Sequence, residues 1–134
     1  LVAEPFVLLV PASVPGDDWR ALLAHQPFIR YDRRSFGGRR VDQFLRDQRI
    51  TPHDVIELDE LQGMTQLVAR GQGVALAPQT AAQGTWPPGT RAISLGDDTF
   101  YREIGLIERP RHSRQPIAGR LADCVDEAAR AERT

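Results

Sequence analysis

Short apolar runs fenced by proline and glycine alternate along this chain with stretches whose apolar residues recur every three or four positions. "PFVLLVP" (Pro5 to Pro11) is a continuous β-prone run and predicts a buried strand. Gly16-Asp17-Asp18 offers a cap for a short helix from Trp19 to Ala24, which Pro27 stops. "FIRY" reads as a second strand. Beyond a Gly-Gly turn, Val41, Phe44 and Leu45 share one helical face with Gln48 at its margin, and Ile50-Thr51-Pro52 ends the helix. "DVIELD" (Asp54 to Asp59) alternates as a strand with one face covered. From about Glu60, the residues Leu61, Met64, Leu67 and Val68 keep helical spacing up to Gly71, a C-cap. "GVALAP" (Gly73 to Pro78) is a third fully apolar strand. A small-residue turn or short helix around Thr80-Ala81-Ala82 and the loop "GTWPPGT" follow.

In the last third, "TRAISL" and "YREIGLIERP" read as strands separated by the turn Gly96-Asp97-Asp98, and "PRHSRQP" as a linker. From Pro116 onward Ile117, Leu121, Cys124/Val125 and Ala128 form one helical stripe. Strands alternating with helices predict an α/β fold with a largely parallel sheet. In such sheets ligands gather at the carboxyl ends of strands, where the next helix offers its N-terminus. The turn after "FIRY" is one such place.

Composition narrows the function. The 134 residues suit one modest domain, and 41% hydrophobic with 26% charged residues is the balance of an ordinary globular protein. All 17 basic residues are arginine, against 18 acidic ones, so the net charge of −1 argues against a free-standing nucleic-acid binder. The single cysteine, Cys124, cannot pair within the chain, and no histidine has metal-ligand spacing to another, which points to a reducing compartment and a cytoplasmic location. Leu1-Val2-Ala3-Glu4-Pro5 lacks a basic start and runs into Pro11, which speaks against a signal peptide or membrane span. No initiator methionine is present, so the expectation is a piece of a longer protein.

The stretch "RYDRRSFGGRR" carries the most chemistry. Ser35 or Gly37 precedes a helix whose first N–H groups can accept a carboxylate, and glycine lets a ligand approach the backbone. The plainer reading is a helix cap and a tight turn, with Arg33, Arg34, Arg39 and Arg40 solvated. Arg30 and Tyr31 share the strand end, so one of them can face a ligand while the other supports the sheet. For Asp59, helix N-capping is the simpler role. Met64 reads as core, and Gln79 or Thr80 as a ligand contact or a turn cap. No catalytic set emerges. His25, His53 and His112 lie in separate loops, Ser13, Ser35, Ser94 and Ser113 lack a nucleophile elbow, and Cys124 reads as a buried structural thiol. Gly71-x-Gly73 closes a helix and opens a strand, the reverse of a dinucleotide-binding turn.

Four stretches in order, "EPFVLLVP", "PFIRYD…SFGG…VDQFLRDQRITP", "ELDELQGMTQLVARGQGVALAP" and "REIGLIERP", resemble the effector-binding domain of LysR-type transcriptional regulators. The resemblance implies a periplasmic-binding-protein-like (type 2) fold of two α/β subdomains with an effector cleft between them. Residues 1–100 would form the second subdomain, and 101–134 a crossing strand and a C-terminal helix belonging to the first. The effector residues implied are Arg30, Tyr31, Ser35, Phe36, Gly37, Gly38, Asp59 and Pro78, binding a small organic anion without cofactor, metal or catalysis. DNA would be met only through an N-terminal winged helix-turn-helix outside these residues, in a homodimer or homotetramer away from membranes. The alternatives are a solute-binding or enzymatic protein on the same fold, or an interaction-only domain.

Overall fold

The computed structural model describes residues 2–80 and 85–105, together with Cys124, Glu127 and Ala128. Pro5–Arg102 forms one compact unit; the residues before Pro5 and from Glu103 onward belong to a second. β1 (Val2–Pro11) is buried from Phe6 to Pro11 because strands flank it on both sides. These are β4 (Ala75–Pro78) and β5 (Thr90–Ser94), both antiparallel to it, with Phe6 opposite Pro78 and Leu8 opposite Ile93. β6 (Tyr101–Ile104) pairs with β1 as well. A covered strand has no solvent face, which is why "PFVLLVP" shows no alternation.

The middle of the chain makes successive β-α-β units. β2 (Pro27–Tyr31) leads into α2 (Phe36–Asp47), then β3 (His53–Leu58), α3 (Leu61–Ala69) and β4. β2 and β3 are parallel, and Val74 bridges Phe28 in the same sense, its N–H donating to Pro27 O and its carbonyl accepting from Ile29 N. The α/β class therefore holds, but the largely parallel sheet does not. The crossover rule makes β2 and β3 parallel, whereas β1 precedes these units and is free to run against β4 and β5.

Capping sets the helix ends. Asp18 accepts from the backbone N of Arg20 and Ala21 to start α1 (Trp19–His25), and Pro27 holds Gln26 extended, so α1 stops. α2 and α3 both close with the paired bonds of a Schellman turn: Arg49 N to Arg46 O and Ile50 N to Leu45 O, then Gly71 N to Val68 O and Gln72 N to Leu67 O. The left-handed residue is Gly71 in one and Arg49, at φ 57°, in the other. The apolar faces of the helices bury Leu22 and Leu23, then Val41, Phe44 and Leu45, then Met64 and Val68, against Phe6, Leu8, Phe28, Ile29 and Leu76 of the strands. Phe6, Phe100 and Phe44 stack in sequence at 4.3 and 4.5 Å, and Trp19 tilts onto Phe44.

Three expectations are corrected. β3 is exposed along nearly its whole length, with Val55 58% and Ile56 42% accessible, where one covered face was expected. Val55 and Ile56 are consecutive and point to opposite faces, so no single covering layer can bury both. Asp59 does not cap α3; Glu60 holds that position, with no side-chain cap bond. Cys124 is helical but exposed rather than buried. Ala128, on the same stripe, is exposed too, so this side of the helix has no cover there. Ile117, Leu121, Val125, Ala81 and Ala82 lie outside the described residues. No helix among the described residues is long and apolar enough to cross a membrane.

Candidate functional site

The turn between β2 and α2 is built around one carbonyl. Asp32 O accepts from the Ser35 backbone N at 3.0 Å and from Ser35 Oγ at 2.7 Å, while Ser35 Oγ accepts from Gly38 N at 3.0 Å. Ser35 is thus the N-cap of α2, and its one hydroxyl proton is already donated. A Cβ on Gly38 would lie 1.7 Å from Asp32 O, so the tightness of this turn demands glycine there. A Cβ on Gly37 would meet Tyr31 Cε2 at 2.6 Å; the bare helix start lets the buried Tyr31 ring pack on it. Both glycines therefore have a packing cause.

The arginines have different fates. Arg30 is buried, its side chain only 6% accessible; Nε donates to Asp54 at 2.9 Å and Nη1 to Asp42 at 3.5 Å. Those carboxylates are also held by Arg33 and Arg46, giving a chain of ion pairs from the turn across α2 and β3. Arg34 stands out, with its side chain 90% accessible yet fixed. Its Nε and Nη2 donate to the two oxygens of Asp32 at 3.2 Å each, and its backbone N to Asp32 Oδ1 at 2.9 Å. The Arg34 guanidinium bonds hold the Asp32 carboxyl below its usual 3.8, the Arg34 backbone N–H adding to the effect, and the same pairing raises Arg34. Nη1 of Arg34 makes no hydrogen bond among the described residues.

Asp32 and Arg34 line a cavity of about 310 Å³ with Glu57, Leu58 and Asp59, at the carboxyl ends of β2 and β3. The chain is led there by parallel pairing, which sets Tyr31 beside Leu58 and bonds Asp32 N to Leu58 O at 2.7 Å. A larger cavity, about 560 Å³, runs along Leu61, Gln62, Thr65 and Gln66 of α3 to Thr80, Thr85, Pro87 and Pro88. No charged residue lines it among the described residues, which leaves it there without the ion-pairing group that an acid requires.

Of the residues singled out from sequence, Asp59 lies in the charged cavity and Ser35, Gly37 and Gly38 form the turn beside it. Tyr31 is buried under that turn, and Phe36 is 57% exposed at the first position of α2. Arg30 is spent on Asp42 and Asp54, and Pro78 is buried opposite Phe6 in the β1–β4 pair; neither lines the cavity. Asp32, Arg34 and Glu57 were missed. The signal for two of them was local: an Asp at a strand end with Arg two residues on forms an Asx turn, a pattern readable without tertiary contacts.

An α/β unit with β-α-β order and a charged cavity at its strand ends fits a fold of the periplasmic-binding type. The family model described as "LysR substrate binding domain" matches residues 1–130, and the chain belongs to that family. Among solved structures it is similar to the effector-binding domain of QuiR in complex with shikimate, at 18% identity and TM-score 0.79, covering 98% of this chain and 64% of that one. It is similar also to the CcmR regulatory domain from Synechocystis PCC6803 in complex with 2-PG (13%, TM-score 0.72, 96% and 64%). A third is the regulatory domain of MexT, a transcriptional activator in Pseudomonas aeruginosa (22%, TM-score 0.67, 92% and 62%). The chain thus spans less than two thirds of the length of each. No curated protein matches it.

Proposed function

We propose that this chain is the effector-sensing part of a LysR-type transcriptional regulator and takes up a small organic acid in the cavity between Arg34 and Asp59. In this reading residues up to about 100 are the second subdomain, and the strand from Tyr101 leads back into the first. The whole regulator is a cytoplasmic homodimer or homotetramer that touches DNA through a winged helix-turn-helix outside these residues. It performs no catalysis; effector binding shifts its subunit arrangement because the effector binds one arrangement more tightly. The family match favours this over a solute-binding or enzymatic protein on the same fold. Relatives of the same fold in complex with shikimate and with 2-PG support a small-molecule effector.

One observation carries the choice of an acid: Asp32 holds the Arg34 guanidinium outward in fixed orientation, with Nη1 uncommitted among the described residues. Guanidinium and carboxylate form charge-assisted bonds that neutral groups do not match. The test is thermal unfolding of the protein against a panel of small organic acids. A binder at ~100 times its Kd adds about 2.7 kcal/mol of stability, which raises Tm. Arg34→Gln should abolish that shift, whereas Arg30→Met should keep it, since Asp42 retains Arg46 and Asp54 retains Arg33. A shift that survives Arg34→Gln refutes the site.

A further inference from the structure

The cavity is not simply a receptor for negative charge. Among the described residues its lining holds one cation, Arg34, against three carboxylates, Asp32, Glu57 and Asp59. Asp32 is consumed by Arg34, accepting three of its N–H groups. Glu57 has its nearest ion pair at 3.8 Å, to Arg33 Nε, and its charge also acts on Arg34, while the Nη2 of Arg33 is bonded to Asp54. Asp59 makes no hydrogen bond or salt bridge among the described residues, though its charge acts on Arg34; it caps no helix and is exposed. The space that Arg34 lines therefore also holds two carboxylates without a close ion pair among the described residues. An acid bound at Arg34 brings the rest of its body against Asp59 and Glu57.

We propose that the effector carries an ammonium group as well as a carboxylate, placing it among amino acids and other amine-bearing acids rather than diacids. The inference rests on the reading of this cavity as the effector site. Among the described residues a second carboxylate would find no second cation there and would meet like charge at Asp59, a repulsive element that selects against diacids. A hydroxyl would satisfy Asp59 as a neutral donor, but an ammonium bonds it with charge assistance and also offsets Glu57. The volume of about 310 Å³ is at the lower end for small-molecule sites, matching a compact bifunctional molecule.

The test is titration calorimetry of the intact protein with three sets of probes: the common L-amino acids, the 2-hydroxy acids of matching side chain, and short dicarboxylic acids. At least one amino acid should bind roughly 10-fold or more tightly than its hydroxy-acid counterpart, with dicarboxylic acids weaker still. Asp59→Asn, at an exposed position without hydrogen bonds among the described residues, should narrow the amino-acid preference to within about 3-fold, and Asp59→Lys should turn it toward dicarboxylic acids. Suppose a hydroxy acid or a dicarboxylic acid binds the wild type as tightly as any amino acid, and binding still needs Arg34. The ammonium inference is then overturned while the effector site stands. If acids bind with no dependence on Arg34, the effector-site reading fails, and this inference with it.

Discussion

Replacing Gly38 with alanine puts the turn geometry to a quantitative test. Alanine inside a helix ordinarily gains about 1 kcal/mol over glycine. At position 38 the added Cβ would sit 1.7 Å from Asp32 O, 2.4 Å from its carbon and 2.9 Å from Ser35 Oγ. Non-bonded carbon atoms rest at ~3.5–4 Å, so the helix start must move by roughly 1.5–2 Å from the end of β2. That opening stretches three bonds at once: Ser35 N and Ser35 Oγ to Asp32 O, and Gly38 N to Ser35 Oγ. Loss of an N-cap costs ~1 kcal/mol and each of the two further bonds about 0.5–1.5, so the gross loss is about 2–4 kcal/mol and the net loss about 1–3. Urea unfolding followed by far-UV circular dichroism reads it as a lower midpoint at unchanged m-value. Gly63→Ala is the control, because its Cβ would meet only Leu58 Cδ1 at 3.8 Å, an ordinary contact inside α3. That variant should gain up to about 1 kcal/mol. A Gly38→Ala protein within ~0.5 kcal/mol of wild type would show that the turn is not closed as described.

Arg49 ends α2 in the left-handed region at φ 57°, where a side chain is strained, so Arg49→Gly should stabilise the protein by ~0.5–1 kcal/mol in the same urea assay; no gain would mean that the Arg49 side chain offsets its strain elsewhere. Asp32 has a folded pKa below its usual 3.8, so the stability its ionisation contributes is fully present above that value and is lost as pH falls through the lowered pKa. Asp32→Asn should accordingly flatten the fall in unfolding midpoint below about pH 4 while leaving the profile between pH 5 and 8 parallel to wild type. A variant whose acid limb is as steep as wild type would sink the Asp32–Arg34 account.

The helices were legible because each carries its own punctuation. Asp18 before Trp19, Ser35 before Phe36 and Gly71 after α3 state their caps in sequence, and the three-four spacing of Val41, Phe44, Leu45, Met64 and Val68 states the buried faces. Strand direction was not legible, because "PFVLLVP" reads the same whether its neighbours run with it or against it. Exposure of β3 was misread since alternation is judged from residue type, and a six-residue strand with Val55 and Ile56 adjacent fits either a covered or a bare face. Sequence singled out Arg30 at this turn, and the structure pairs it with Asp42 and Asp54, while Arg34 lines the cavity. Arg30 and Arg34 are chemically identical; only the parallel pairing of β2 with β3 decides that Asp54 reaches Arg30 while Arg34 is left to Asp32.

Five arginines between positions 30 and 40 suggest a phosphate-binding tract until their partners are counted. Arg30 and Arg33 share Asp54, Arg34 lies in the fork of Asp32, and Arg40 Nε donates to Tyr101 O at 3.1 Å. The Arg39 side chain has no partner among the described residues, so three of the five are opposed by carboxylates. A nucleic acid binds through cations that release counterions, and arginines already opposed by Asp32, Asp42, Asp54 and Glu57 contribute little to that release. The same pairing explains why arginine suits position 34. The planar guanidinium spends two donors side by side on one carboxylate and keeps Nη1 facing outward, so orientation and ligand capacity come from one side chain. A lysine there would keep the charge but, as a rotating point donor, would have to leave Asp32 in order to greet a ligand. Under the proposed reading, recognition at this turn depends on the geometry of one held guanidinium rather than on the density of positive charge around it.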